Sequence, residues 1–225
     1  MWSTRVCVLF LASVLAAVLG ACGTGGQYFV SKNEPWRAAE EESCLASGVV
    51  RETASIHTSA DALGGPSECG AEHPFQMAAA DGGRVLIKPV ALLRCPMIPQ
   101  VDHWVAGVVQ PAAHRIYGMP LVEVQIAGSY SCRPMNNVSG GILSEHGHAN
   151  AIDVSAFVFA DGSRVSVKSG WHAGGRERAF LQAAHDGACG QFTTVLSPDY
   201  DANHRDHFHL DLARRGPTGL GTVCK

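Results

Sequence analysis

The 225-residue chain contains no uninterrupted apolar run of 18 residues, the least that crosses a bilayer as a helix. Charge is scarce, at 16% of residues, and bases do not outnumber acids. With 17 basic against 20 acidic residues and a net charge of −3, no basic field for nucleic acid exists. No Cys-x-x-Cys occurs, which argues against a thiolate zinc site. No internal repeat or low-complexity block interrupts the chain. A hydrophobic content of 46% excludes disorder as the main state, because too much apolar surface would stay wet.

Cysteine and histidine are abundant, at eight and eleven residues. The N-terminus gives the cysteines their context. Arg5 is the only charge before an apolar stretch from Val6 to Leu19, the pattern of an export signal. The stretch ends Leu19-Gly20-Ala21-Cys22, which resembles the bacterial lipobox. The expectation is a lipoprotein signal peptide over 1–21, lipid on Cys22, a tether over 22–43 and one domain over 44–225. That places the protein in a bacterial cell envelope, anchored to the membrane through Cys22 and facing the periplasm or exterior. Cys44, Cys69, Cys95, Cys132, Cys189 and Cys224 then remain as an even set in an oxidising compartment. Their pairing is open, with Cys189–Cys224 the favoured bond because it would fasten the tail to the preceding helix.

Pro35 to Ala46 reads as a short helix carrying Trp36. Arg84 to Leu93 reads as a strand, with Pro89 marking an edge or a bulge. Gln100 to Tyr117 has apolar residues near helical spacing, is broken or kinked at Pro111 and stops at Gly118. Val122, Val124 and Ile126 alternate with polar residues as a half-buried strand. Ala151–Phe159 and Arg164–Val167 flank Asp161-Gly162, a hairpin signal. Arg176 to Ala188 reads as a helix, and Thr193–Leu196 and His207–Leu212 as strands. The expected fold class is α+β, a single domain with a mainly antiparallel sheet.

On a strand, alternate side chains share a face. His207, His209 and Asp211 therefore point one way, and Phe208, Leu210 and Leu212 the other. A solvated polar face is the bland explanation. A second segment adds weight. Asp153 sits between Ile152 and Val154 in an apolar strand, where a carboxylate needs a partner or a cation. His146 lies in the turn leading to it. His146, Asp153 and His209 would make three ligands and leave a fourth position for water, as in catalytic zinc sites.

The stretches Gly128-Ser129-Tyr130-Ser131-Cys132-Arg133, Ser144-Glu145-His146 through Asp153, and His204-Arg205-Asp206-His207-Phe208-His209-Leu210-Asp211 are similar to the bacterial extensin-like C-terminal family. They also resemble the LAS zinc metallopeptidases, which include D-Ala-D-Ala carboxypeptidases, murein endopeptidases and the hedgehog domain. The resemblance spans roughly Cys95 to Cys224. It implies an LAS/hedgehog-like fold, Zn2+ held by His146, Asp153 and His209, and Asp206 as general base. It also implies that Arg133 binds substrate and that His207 lies beside the site. Relatives carry glycine where this chain has Ala149, and His148 is an alternative first ligand. Trp171 reads as core, Tyr130 as packing, and His204 is undecided. Three functions follow: a zinc peptidase acting on peptidoglycan stem peptides, a non-catalytic zinc-containing envelope-binding module, or a disulfide-held structural lipoprotein without metal.

Overall fold

The computed structural model describes residues 29–60, 62–64 and 68–225. The expected export signal, the lipidated Cys22 and the start of the tether lie outside the described residues. No helix among the described residues is long and apolar enough to cross a membrane.

Part of the stretch expected as a tether over 22–43 is structured. Val30 already bridges to Ile142, its N–H donating to Gly141 O at 2.8 Å and its carbonyl accepting from Leu143 N at 3.0 Å. Helix α1 (Trp36–Ser47) begins within the expected tether and ends at Gly48, whose φ of 63° is left-handed. Side-chain contacts and a disulfide hold this segment to the domain body. Arg37 pairs with Glu145, and Cys44 is bonded to Cys95.

Among the described residues eleven strands follow in chain order. They are β1 (Ile56–Thr58), β2 (Leu63–Gly64), β3 (Gly70–Ala71), β4 (Phe75–Ala80), β5 (Val85–Leu93), β6 (Leu121–Gly128), β7 (Ala151–Phe159), β8 (Arg164–Ser166), β9 (Thr194–Leu196), β10 (Phe208–Asp211) and β11 (Val223–Cys224). β2 and β3 form a small separate hairpin, and the rest make one sheet ordered β1-β4-β5-β6-β7-β10-β9-β11, with β8 also pairing β7. β5–β6 and β9–β11 are parallel and every other pair is antiparallel. The hairpin expected at Asp161-Gly162 joins β7 to β8, with Gly162 at φ 82°. Pro89 does not mark an edge. It lies inside the sheet, in the stretch of β5 where the pairing to β4 slips between Met77 and Ala79; a bulge tolerates its missing N–H.

A second bulge matters more. Between Gln125↔Ala156 and Ile126↔Val154 the β6–β7 register shifts. Ile152 and Val154 before it, and Phe157 and Phe159 after it, therefore all enter the same core. Asp153, between the first two, is aimed out of that core.

The helix expected from Gln100 starts earlier and runs as α2 (Met97–Trp104), a π-helical turn over Val105–Val109 and α3 (Gln110–Tyr117). Gln110 N–H donates five residues back to Val105 O. The wide turn lets the helix continue past Pro111, which has no N–H to give. Gly118, at φ 73°, ends it. The turn α4 (Val167–Gly170) precedes α5 (Gly175–Ala188). Trp104 is fully buried, stands edge-on to Phe157 at 6.1 Å and donates its Nε1–H to Ala184 O at 2.8 Å. Trp171 is core, packed on Phe208 and His185.

Among the described residues three disulfides close the structure: Cys44–Cys95, Cys69–Cys132 and Cys189–Cys224. The last binds β11 to the end of α5, the arrangement expected from the sequence. The described residues thus form one α+β unit with a mainly antiparallel sheet as its core.

Candidate metal centre

Register alone brings two of the candidate ligands together. β10 pairs β7 with His209 directly opposite Asp153, so their side chains share a face. Phe208 and Leu210, on the other face, are fully buried. His146 comes from a short 3-10 turn, Glu145–His148, capped by Ser144, whose hydroxyl accepts from His146 N. The turn ends at Ala149, at φ 52°. That is the left-handed region where glycine is at ease, and Ala149 occupies it with a strained backbone.

The three donor atoms form a small triangle. His146 Nε2 lies 3.2 Å from His209 Nδ1 and 3.2 Å from Asp153 Oδ2, and His209 Nδ1 lies 2.9 Å from Asp153 Oδ1. In a tetrahedral site with bonds of about 2.0–2.1 Å, neighbouring donors stand about 3.3 Å apart. The set fits zinc.

The hydrogen bonds behind the rings point the same way. His146 Nδ1 donates to Ser129 O at 2.5 Å, which leaves a lone pair on Nε2. His209 Nε2 donates to Asp211 Oδ2 at 2.9 Å, which leaves a lone pair on Nδ1. With both rings neutral the two nitrogens face each other as acceptors, and a metal ion between them, or a proton on His209 Nδ1 donated to Asp153, relieves that. A carboxylate or carbonyl behind each imidazole is the usual support of a metal ligand.

The surrounding charge favours a cation as well. Burial pulls His209 down, but hydrogen bonds to Asp153 and Asp211 and their charge outweigh it and lift His209 to about 9. Burial pushes Asp153 up, yet His146 and His209 hold its carboxyl well below the usual range. Burial likewise opposes ionisation of Asp211, and the His209 bond overcomes it.

A cleft of about 320 Å³ opens beside the triangle, lined among others by Arg133, Tyr200, His204, His207 and Asp211. Asp206 is not among its lining residues. It lies in the loop before β10, but its carboxylate is 58% exposed and accepts from His207 Nδ1 at 2.9 Å. His207 Nε2, in turn, is 3.5 Å from Asp153 Oδ1. The group that reaches the centre is therefore His207, with Asp206 behind it. Arg133 lines the cleft and makes no ion pair among the described residues, so it does not serve as a structural salt bridge there.

His204 belongs to the site. Its Nδ1 is 2.6 Å from Asp201 Oδ1, and its ring lies 5.4 and 5.8 Å from those of His207 and His209. The repeated Asp-x-x-His spacing, Asp201 with His204 and Asp206 with His209, was the sequence signal for it. Only the first of these pairs bonds directly. Ser129 carried no signal, because its contribution is a backbone carbonyl. His148, the alternative ligand, turns away and lines another cavity. Tyr130 packs, its hydroxyl donating to Gly64 O at 2.8 Å.

Comparison with known proteins adds a family and nothing finer. Neither the curated proteins nor the solved structures contain a match to the chain. The model of the family described as extensin-like protein C-terminus matches residues 42–225, and the chain belongs to that family.

Proposed function

We propose that this protein is an exported zinc-dependent peptidase, lipid-anchored at Cys22, that hydrolyses peptidoglycan stem peptides in the bacterial envelope, on an LAS-like fold. The observation that carries it is the triangle of His146, Asp153 and His209, whose lone pairs converge on one point at the side of a cleft. Zinc held there would supply a Lewis acid that makes water nucleophilic near neutral pH.

The chain's own groups divide the remaining work. Arg133, free of a protein carboxylate among the described residues, binds the substrate's carboxylate or scissile carbonyl. His207 presents Nε2 to the centre and accepts the proton of the attacking water. The water oxygen joins the carbonyl carbon, the C–N bond breaks, and His207 returns the proton to the leaving amine. Asp206 holds His207 in orientation and is a positioning residue, replacing the base role that the sequence suggested for it.

One observation favours a second reading, a zinc-containing binding module. Among the described residues of β10 and its loop, no carboxylate but that of Asp211 reaches the centre, so an acidic base is lacking there. Digestion of purified peptidoglycan separates the two. A peptidase releases muropeptides detectable by mass spectrometry and loses that release in His207→Ala while zinc stays bound. Zinc-loaded wild type that releases none is a binding module. Cys22→Ser is expected to move the protein from the membrane to the soluble fraction; persistent membrane association would contradict the anchor.

A further inference from the structure

His148 turns from the metal loop into a separate cavity of about 440 Å³. One face of α1 lines it, with Arg37, Ala38, Glu41, Glu42 and Leu45 at helical spacing. Glu72 and His73 face them from beyond β3, and Arg94 completes the lining.

Two groups of opposite charge are buried here, each with an atom that makes no hydrogen bond. Glu41 is 9% exposed, and its Oε1 has no hydrogen-bond partner among the described residues. Arg94 is 1% exposed; its Nη2 donates to Arg37 O at 2.6 Å, but its Nη1 makes no hydrogen bond. Nη1 is ion-paired with Glu40 Oε2 at 3.4 Å, and Glu40 does not line the cavity. No ion pair joins Arg94 to Glu41 among the described residues. Arg37 is already committed to Glu34 and Glu145. A buried polar atom without a hydrogen bond is costly, and both residues line the same cavity.

An acceptor and a donor offered together complement a molecule that carries one ammonium and one carboxylate. We propose that this cavity binds a small zwitterion of the α-amino-acid class, its ammonium on Glu41 and its carboxylate on Arg94. Glu42, Glu68 and Glu72 add negative charge to the lining, which favours the ammonium. The cavity is at the lower end of ordinary small-ligand sites, roughly 300–1,000 Å³. The proposal does not require the metal centre.

The test is calorimetric titration of the full chain with glycine, D-alanine and L-alanine, with methylamine and acetate as probes carrying one charge each. Saturable one-to-one binding of at least one amino acid is expected, with both single-charge probes weaker. It should persist in His146→Ala, which removes the metal centre, and weaken about tenfold or more in Glu41→Gln, which loses a charged hydrogen bond. Amide shifts confined to α1 around Ala38 and Leu45 give the same answer in the wild type, should Glu41→Gln fail to fold. Absence of saturation means the cavity holds water only and overturns the proposal. Equal binding by a folded Glu41→Gln, or loss of binding in His146→Ala, also overturns it, because the amino acid is then held elsewhere.

Discussion

Arg37 and Glu145, 108 positions apart in sequence, meet through two hydrogen bonds of 2.8 and 2.7 Å. Glu145 directly precedes the candidate ligand His146, and its carboxylate also accepts from Asn150 Nδ2 at 2.6 Å. The loop bearing His146 is thus clamped to α1. Arg37→Ala leaves every ligand in place but frees that loop. Its zinc affinity should fall about 10–100-fold, measured by competition with a chromogenic chelator; unchanged affinity would contradict the clamp.

Asp211 acts through His209 in a similar way. Asp211→Asn removes the charge that fixes the proton on Nε2. In metal-free protein, the His209 pKa of about 9 should then drop, read by NMR titration of the imidazole. Zinc affinity should fall by about tenfold or more. A His209 that still titrates near 9 in the variant would show that Asp153 alone sets it.

The sign of the pH dependence distinguishes free from loaded protein. In the free protein His209 is raised to about 9 from an ordinary value of about 6.5. Its protonated form therefore stabilises the fold fully below about pH 6.5, and that contribution is lost as pH climbs through 9. A metal ligand must instead be deprotonated, so stabilisation by zinc grows over the same window. Thermal unfolding from pH 6 to 9 should show a widening gap between zinc-loaded and chelator-treated samples. A constant or narrowing gap would contradict proton–metal competition at this site.

Cys189–Cys224 closes a segment with a sequence separation of 35. By loop-closure entropy it stabilises by about 4 kcal/mol. The Cys189→Ser/Cys224→Ser double variant should lose about that much in urea unfolding, and β11 should exchange its amides first. A loss under about 1 kcal/mol would mean the tail is held by its strand pairing alone.

Much of this was legible in the sequence, for physical reasons. The period-two pattern Phe208-His209-Leu210-Asp211 separates the core face of β10 from the face that carries the candidate ligand His209, because a strand leaves no other choice. Asp153 was legible as a carboxylate too costly to bury alone. The π-helical turn before Pro111 was not, since sequence shows the missing N–H but not how the helix absorbs it. Pro89 misled in part: its chemistry allows an edge or a bulge, and only the pairing to both β4 and β6 decides. The orientation of Asp206 depended on where β10 begins and on its neighbour's ring, neither of which spacing encodes. The role of α1 was hidden because Arg37 and Glu145 come together only in the folded chain.

The most direct measurement is the zinc content of the purified protein after dialysis, by mass spectrometry of the metal. One zinc per chain is expected for the wild type, and far less for His146→Ala and for His209→Ala, each folded by circular dichroism. Full stoichiometry in both variants, or none in the wild type, would contradict a metal centre built from these residues.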